Sequence, residues 1–184
     1  MFDVRKRLRF LFPALLAYLA HHSLHETTHY AAARLLGEPV AAFRLLTNGW
    51  LTSRVVYATP VSERTGLHWL VIAWAPAALT TLMGLALYAT RKRWLSPWPP
   101  LNALLWFLGA YGLVVDPLYF GVLSIFIRGW GDVGAVKAVG WSPWPVRLVA
   151  LAVLVVNSLL LIRWRRESSE QPEAYLGRAV RGVG

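Results

Sequence analysis

His25-Glu26-Thr27-Thr28-His29 puts two imidazoles and a carboxylate within one short stretch of an otherwise apolar segment, where polar side chains are costly. On a helix the two histidines, at i and i+4, lie one turn apart on the same face. That spacing lets two neutral nitrogens grip one Zn²⁺, while Glu26 takes a proton from a water that the metal acidifies. The chemistry implied is metal-assisted hydrolysis at or within a bilayer.

A zinc site needs at least a third protein ligand and leaves a position open for water. The chain has no Cys, so thiolate sites and disulfides are excluded and the ligand must be His, Asp or Glu. Between Arg64 and Arg166 the acidic residues are Asp116 and Asp132, and the only histidine is His68. Asp116 sits mid-run, directly before Pro117. An ionisable group there costs about 2.5–3.5 kcal/mol on insertion scales, which a metal or polar partner offsets. Pro117 lacks a backbone N–H, so a kink or break is expected at that point. Asp132, in Gly131-Asp132-Val133-Gly134, reads as a helix N-cap behind a flexible turn. Both carboxylates stay open as the third ligand. Asp132 has the alternative role of a simple cap, and Asp116 that of a partner for a buried Arg or a histidine.

Other polar residues surround the motif. His22, His25, Glu26 and His29 share a helix face, with His21 offset but beside His25. His22 is expected next to a ligand carboxylate or the water route, in the shell behind the metal. Four clustered histidines (21, 22, 25 and 29) also permit a second metal or haem, and with it a non-proteolytic membrane metal- or haem-binding protein. An inactive scaffold that binds no zinc is the other alternative. Asn48, with Gly49 beside it, would polarise a scissile carbonyl if its loop folds over the site. Asn102 and Asn157, on apolar runs, are expected to bond between helices.

The elements that position these residues are those of a membrane protein. The chain has 184 residues, enough for one domain, of which 57% are hydrophobic, and its mean hydropathy of +0.46 is high for a soluble domain. Four apolar runs have spanning length: about Leu8–Leu36, Leu67–Thr90, Leu101–Ile127 and Pro145–Ile162. Ten Trp and seven Tyr suit two water–lipid interfaces. The net charge of +10 flanks the apolar runs rather than lining an aromatic groove, so lipid is the expected partner and nucleic acid is not. Basic clusters at 5–9, 91–93 and 163–166 fall on one side if every run crosses once. Both termini are then expected in the cytoplasm, and the plasma membrane is the expected location of this multi-pass protein. A cleaved signal peptide fits less well than a retained first helix, because Tyr18 stands where a small residue is wanted before Ala20.

Between the first two helices, residues 39–58 read as two strands around Asn48-Gly49, with Gly37 stopping the preceding helix. An exposed edge of such a hairpin is expected to pair with an extended substrate segment. Residues 1–163 form the expected membrane core, and 164–184 a mobile tail without apolar periodicity. The fold class is thus an α-helical polytopic membrane protein with about four spans and an inserted β-hairpin.

Together these residues resemble the site-2 protease-type intramembrane zinc metalloproteases. The resemblance rests on His25-Glu26-Thr27-Thr28-His29, with support from Ala73-Trp74-Ala75-Pro76-Ala77, similar to an Ala-Gly-Pro stretch in that family, and from Gly131-Asp132-Val133-Gly134. It implies His25, His29 and Asp132 as ligands of one Zn²⁺, Glu26 as the base, and peptide bonds in or near membrane spans as substrate. The chain departs from the family pattern in three places. The Asn-x-x-Pro lead-in is missing, Val133 replaces a Gly, and Trp74 stands where Gly is usual, which keeps Asp116 a rival for the third ligand.

Overall fold

The computed structural model describes residues 4–47, 53–94, 96, 98–126 and 131–170. The first helix, α1, runs Val4–Leu35. It closes at Gly37, whose φ of +78° is the left-handed turn that frees the Glu38 N–H to reach Ala33 O at 2.9 Å. Strands β1 (Val40–Arg44) and β2 (Arg54–Tyr57) follow, paired antiparallel with Arg44 opposite Arg54 and an irregularity between Val40 and Ala42. Among the described residues the pairing ends at Arg44 and Arg54, with residues 45–47 and 53 outside it. Asn48 and Gly49 lie outside the described residues.

Helix α2 spans Leu67–Thr90 and α3 spans Pro99–Leu118. Here the expected break at Pro117 does not occur. The chain continues through a wide π turn, Tyr119–Leu123, into a last helical turn, Ser124–Phe126. A wider turn accommodates the missing N–H and the ring without ending the helix. A short helical turn, Gly131–Gly134, leads through a 3-10 segment, Ala135–Val139, to the final helix α4, Trp144–Glu170.

Three of these helices are long and apolar enough to cross a membrane: Leu67–Thr90, Pro99–Phe126 and Trp144–Ser168. The expected fourth, α1, is the longest helix but is not among them, because the run from His21 to His29 dilutes its apolar character. Apolar side chains face outward on α4, with Leu148, Val149 and Leu159 each more than 60% exposed, which suits a lipid surround. No tail begins at residue 164. The helix continues to Glu170, and Trp164 is fully buried beside Tyr88, Trp94 and Trp106. Arg91 grips Glu167 through Nε and Nη2 at 2.8 and 3.0 Å, which brings the basic clusters at 91–93 and 163–166 to one end.

Helix α1 packs on both α2 and α3, and α3 also packs on α4. The α2–α3 crossing is very close because two glycines face it. A Cβ on Gly112 would stand 2.5 Å from Thr80 O, and one on Gly84 2.8 Å from Leu113 N. Close approach of this kind holds membrane helices together by packing rather than by the hydrophobic effect. It also delivers Thr80 of α2 to Asp116 of α3. Gly112→Ala should therefore destabilise the protein by about 1–3 kcal/mol through overpacking, seen as a lower thermal midpoint in detergent. An unchanged midpoint would mean the helices do not meet this closely. Of the two asparagines, Asn157 donates to Leu113 O across α4 and α3, as expected, and Asn102 clasps the Ser96 backbone ahead of its own helix.

Candidate metal centre

His25 and His29 project from α1 toward Asp132, which lies in the first turn of the short helix rather than capping it. His29 Nε2 is 3.3 Å from Asp132 Oδ1, and His25 Nε2 is 3.7 Å from Asp132 Oδ2. One ligand atom from each of the three residues lies within 4.8 Å of the others, a group able to hold a metal ion. His68 is elsewhere, 2.7 Å from Glu38.

The outer nitrogens decide what this group can bind. His29 Nδ1 lies 2.8 Å from Ile72 O, and a carbonyl only accepts, so Nδ1 carries the proton. His25 Nδ1 lies 3.1 Å from Asp116 Oδ1, so the same holds there. Each neutral imidazole therefore turns an Nε2 lone pair toward the Asp132 carboxylate. Three acceptors pointed at one another require a positive charge between them, either a proton on an imidazole or a metal ion. The donor set could hold a metal ion, and the Nδ1 partners fix both tautomers.

Asp116 is thus placed behind His25 and not among the converging atoms. It is buried, accepts from Thr80 Oγ1, and lies 3.5 Å from the buried His21 Nε2. The Thr80 hydroxyl also reaches Pro76 O at 2.9 Å. His22, expected in this shell, turns away: its Nε2 accepts the Ser53 N–H at 2.8 Å. The hairpin folds over that side of α1 and draws His22 to itself, leaving His21 nearer the carboxylate.

Glu26 Oε2 likewise accepts from the hairpin, from Val55 N–H at 3.1 Å. The N–H groups of Ser53 and Val55, which point away from β1, are therefore both occupied by α1 side chains. The β2 edge beside the metal cluster is bonded rather than exposed. A strand added there would compete with His22 and Glu26. Glu26, His29 and Asp132 line a common cleft of about 430 Å³. A larger apolar cavity, about 940 Å³, opens between α2 and α4 and reaches Asp116.

Two features position Asp132. The Trp74 Nε1–H donates to Asp132 O at 3.2 Å and so clasps the backbone of that residue. Gly131 has φ +37° and lies against Tyr119, where a Cβ would stand 2.5 Å from the hydroxyl. Tyr119 begins the π turn, so the wide turn after Pro117 backs the glycine that precedes Asp132. Burial raises the Asp132 carboxyl, but His25 and His29, which donate to it through Nε2 once the metal-free site takes up a proton there, outweigh that and hold it down to about 2. That depressed value gives stability above the unfolded carboxyl range of about 3.9, lost as pH falls through the folded value. Trp74 and Tyr119 carried no signal in the sequence beyond their proximity to proline. Compared with known proteins, the chain matches no family model, no curated protein and no solved structure.

Proposed function

We propose that the protein is a membrane-embedded zinc endopeptidase that cleaves peptide bonds in or near membrane spans. The observation that carries this reading is the set of three acceptors, His25 Nε2, His29 Nε2 and Asp132, with both histidine tautomers fixed from outside. In this reading α1 is a fourth membrane helix whose polar face is turned to α2, α3 and the hairpin. Its basic start then lies at the end shared by residues 91–93 and 163–166, with both termini cytoplasmic.

A bound zinc would acidify a water and polarise the substrate carbonyl. Glu26 supplies the proton traffic. Its Oε2 is held by Val55 N–H, so Oε1 is the oxygen that takes a proton from the attacking water and returns it to the leaving amine. Asp116 and Ile72 O orient the two imidazoles, and Thr80 in turn steadies Asp116. A substrate helix unwinds before its backbone reaches the cleft, which the hairpin borders through Val55, Val56 and Tyr57.

The test is zinc content per chain in detergent-purified protein, together with cleavage of a reconstituted transmembrane peptide. About one zinc per chain, with cleavage lost on chelation and restored by zinc, is the expected result. Chain that stays metal-free after reloading, with an unchanged thermal midpoint, would leave a scaffold. One observation favours a non-hydrolytic metal protein as the second reading: Glu26 is already engaged by Val55. Stoichiometric zinc without cleavage would select it.

A further inference from the structure

The cleft that holds Glu26, His29 and Asp132 is also lined by Arg54 and Arg64. Neither arginine forms an ion pair among the described residues. The nearby Glu38 carboxylate is taken by His68 and Thr59. Arg64 is nevertheless fixed in place. Its Nε donates to Thr59 O at 3.2 Å, and its guanidinium lies 4.9 Å from the Tyr57 ring centre and 4.7 Å from that of Trp69. A guanidinium stacked on two rings and held by one nitrogen presents its remaining N–H groups in a set direction, at little further entropic cost to a ligand.

The hairpin adds a second observation. Arg44 stands directly opposite Arg54 in the strand pair, both on the sheet's exposed face. Like charges opposite one another destabilise a sheet, and neither arginine is in a salt bridge among the described residues. An anion bound beside Arg54 would relieve that repulsion.

We infer that Arg64, assisted by Arg54, forms a carboxylate-recognition subsite beside the metal cluster, so that the segment taken into the cleft carries an acidic group. The inference rests on the peptidase reading and names the substrate class of that same site. The carboxylate belongs either to an Asp or Glu side chain near the scissile bond or to a free chain terminus. An ionised carboxylate matches the planar fork of Arg64, whereas an amide of the same shape does not.

The test is equilibrium binding to the full chain in zwitterionic nanodiscs, both zinc-supplemented and chelator-treated. The probes are acetylated, amidated Leu-rich peptides that differ only in a central Asp or Asn, followed by titration calorimetry. The Asp peptide should bind about tenfold more tightly. That advantage should persist in the chelated protein, where no metal competes for the carboxylate. It should vanish in Arg64→Met and be partly kept in Arg64→Lys and Arg54→Gln. Should Arg64→Met lose its helical circular dichroism, the latter two variants carry the comparison. An Asn peptide with a free C-terminal carboxylate separates the two sources, since only a terminus-reading site would favour it.

Equal binding of the Asp and Asn peptides, or an Asp advantage unchanged in folded Arg64→Met, would overturn the inference. So would an arginine dependence seen only in phosphatidylglycerol nanodiscs, which would assign these residues to lipid. Zinc and cleavage without an Asp preference would leave the peptidase and remove the subsite. An Asp preference in a chain that never binds zinc would do the reverse.

Discussion

Glu26→Gln is expected to lower peptide-bond cleavage by about 10²–10⁴-fold, the usual contribution of general acid–base catalysis, while zinc content stays at the wild-type level. The amide keeps the shape of the side chain and its carbonyl oxygen still accepts from Val55 N–H, so the hairpin contact survives. What is lost is the capacity to take a proton. Because Glu26 makes none of the converging contacts with His25, His29 or Asp132, metal binding and catalysis should separate in this variant. Full cleavage of a transmembrane peptide by Glu26→Gln would remove the base from the mechanism.

The second large effect distinguishes the two aspartates. Asp132→Ala removes one of three converging ligands, and stoichiometric zinc should be lost. Asp116→Ala should retain a site whose affinity is about 10–100-fold weaker, the typical cost of losing the partner that orients a ligating histidine. Metal titration by competition with a chromogenic chelator reads both. Loss of zinc in Asp116→Ala with retention in Asp132→Ala would exchange their roles. Thr80→Val should follow Asp116→Ala in direction, since the Thr80 hydroxyl touches the cluster through that carboxylate.

The metal motif and most of the helices were legible in the sequence because both are local patterns. Two histidines at i and i+4 say where they point, and an apolar run of spanning length says what surrounds it. The roles of Asp116 and Asp132 were not legible, because both are single carboxylates on apolar ground. They are told apart only by which imidazole nitrogen each one faces, and that depends on the close crossing at Gly84 and Gly112 and on the turn at Gly131. His22 was assigned by helix periodicity to the metal face. The hairpin, a tertiary contact, claims it instead. Trp74 read as a departure from a family pattern, and its hydrogen bond to Asp132 O depends on a residue far along the chain. The helix beyond residue 163 was hidden by its polar composition. Trp164, buried against Gly109, and the Arg91–Glu167 pair hold it in place.

α1 meets the hairpin at two matched intervals. His22 and Glu26 are four residues apart on a helix, about 6 Å of rise, and the N–H groups they receive, from Ser53 and Val55, are two residues apart on a strand, about 6.7 Å. The two periods nearly coincide, so the helix reads the strand like a ruler with matching marks. A slip of the strand by one residue would turn the intervening N–H groups toward α1 in no partial way, because every second one belongs to the facing strand. Both acceptors would lose their donors together. His22 and Glu26 therefore hold the hairpin in a single register, and losing that register would free both side chains together.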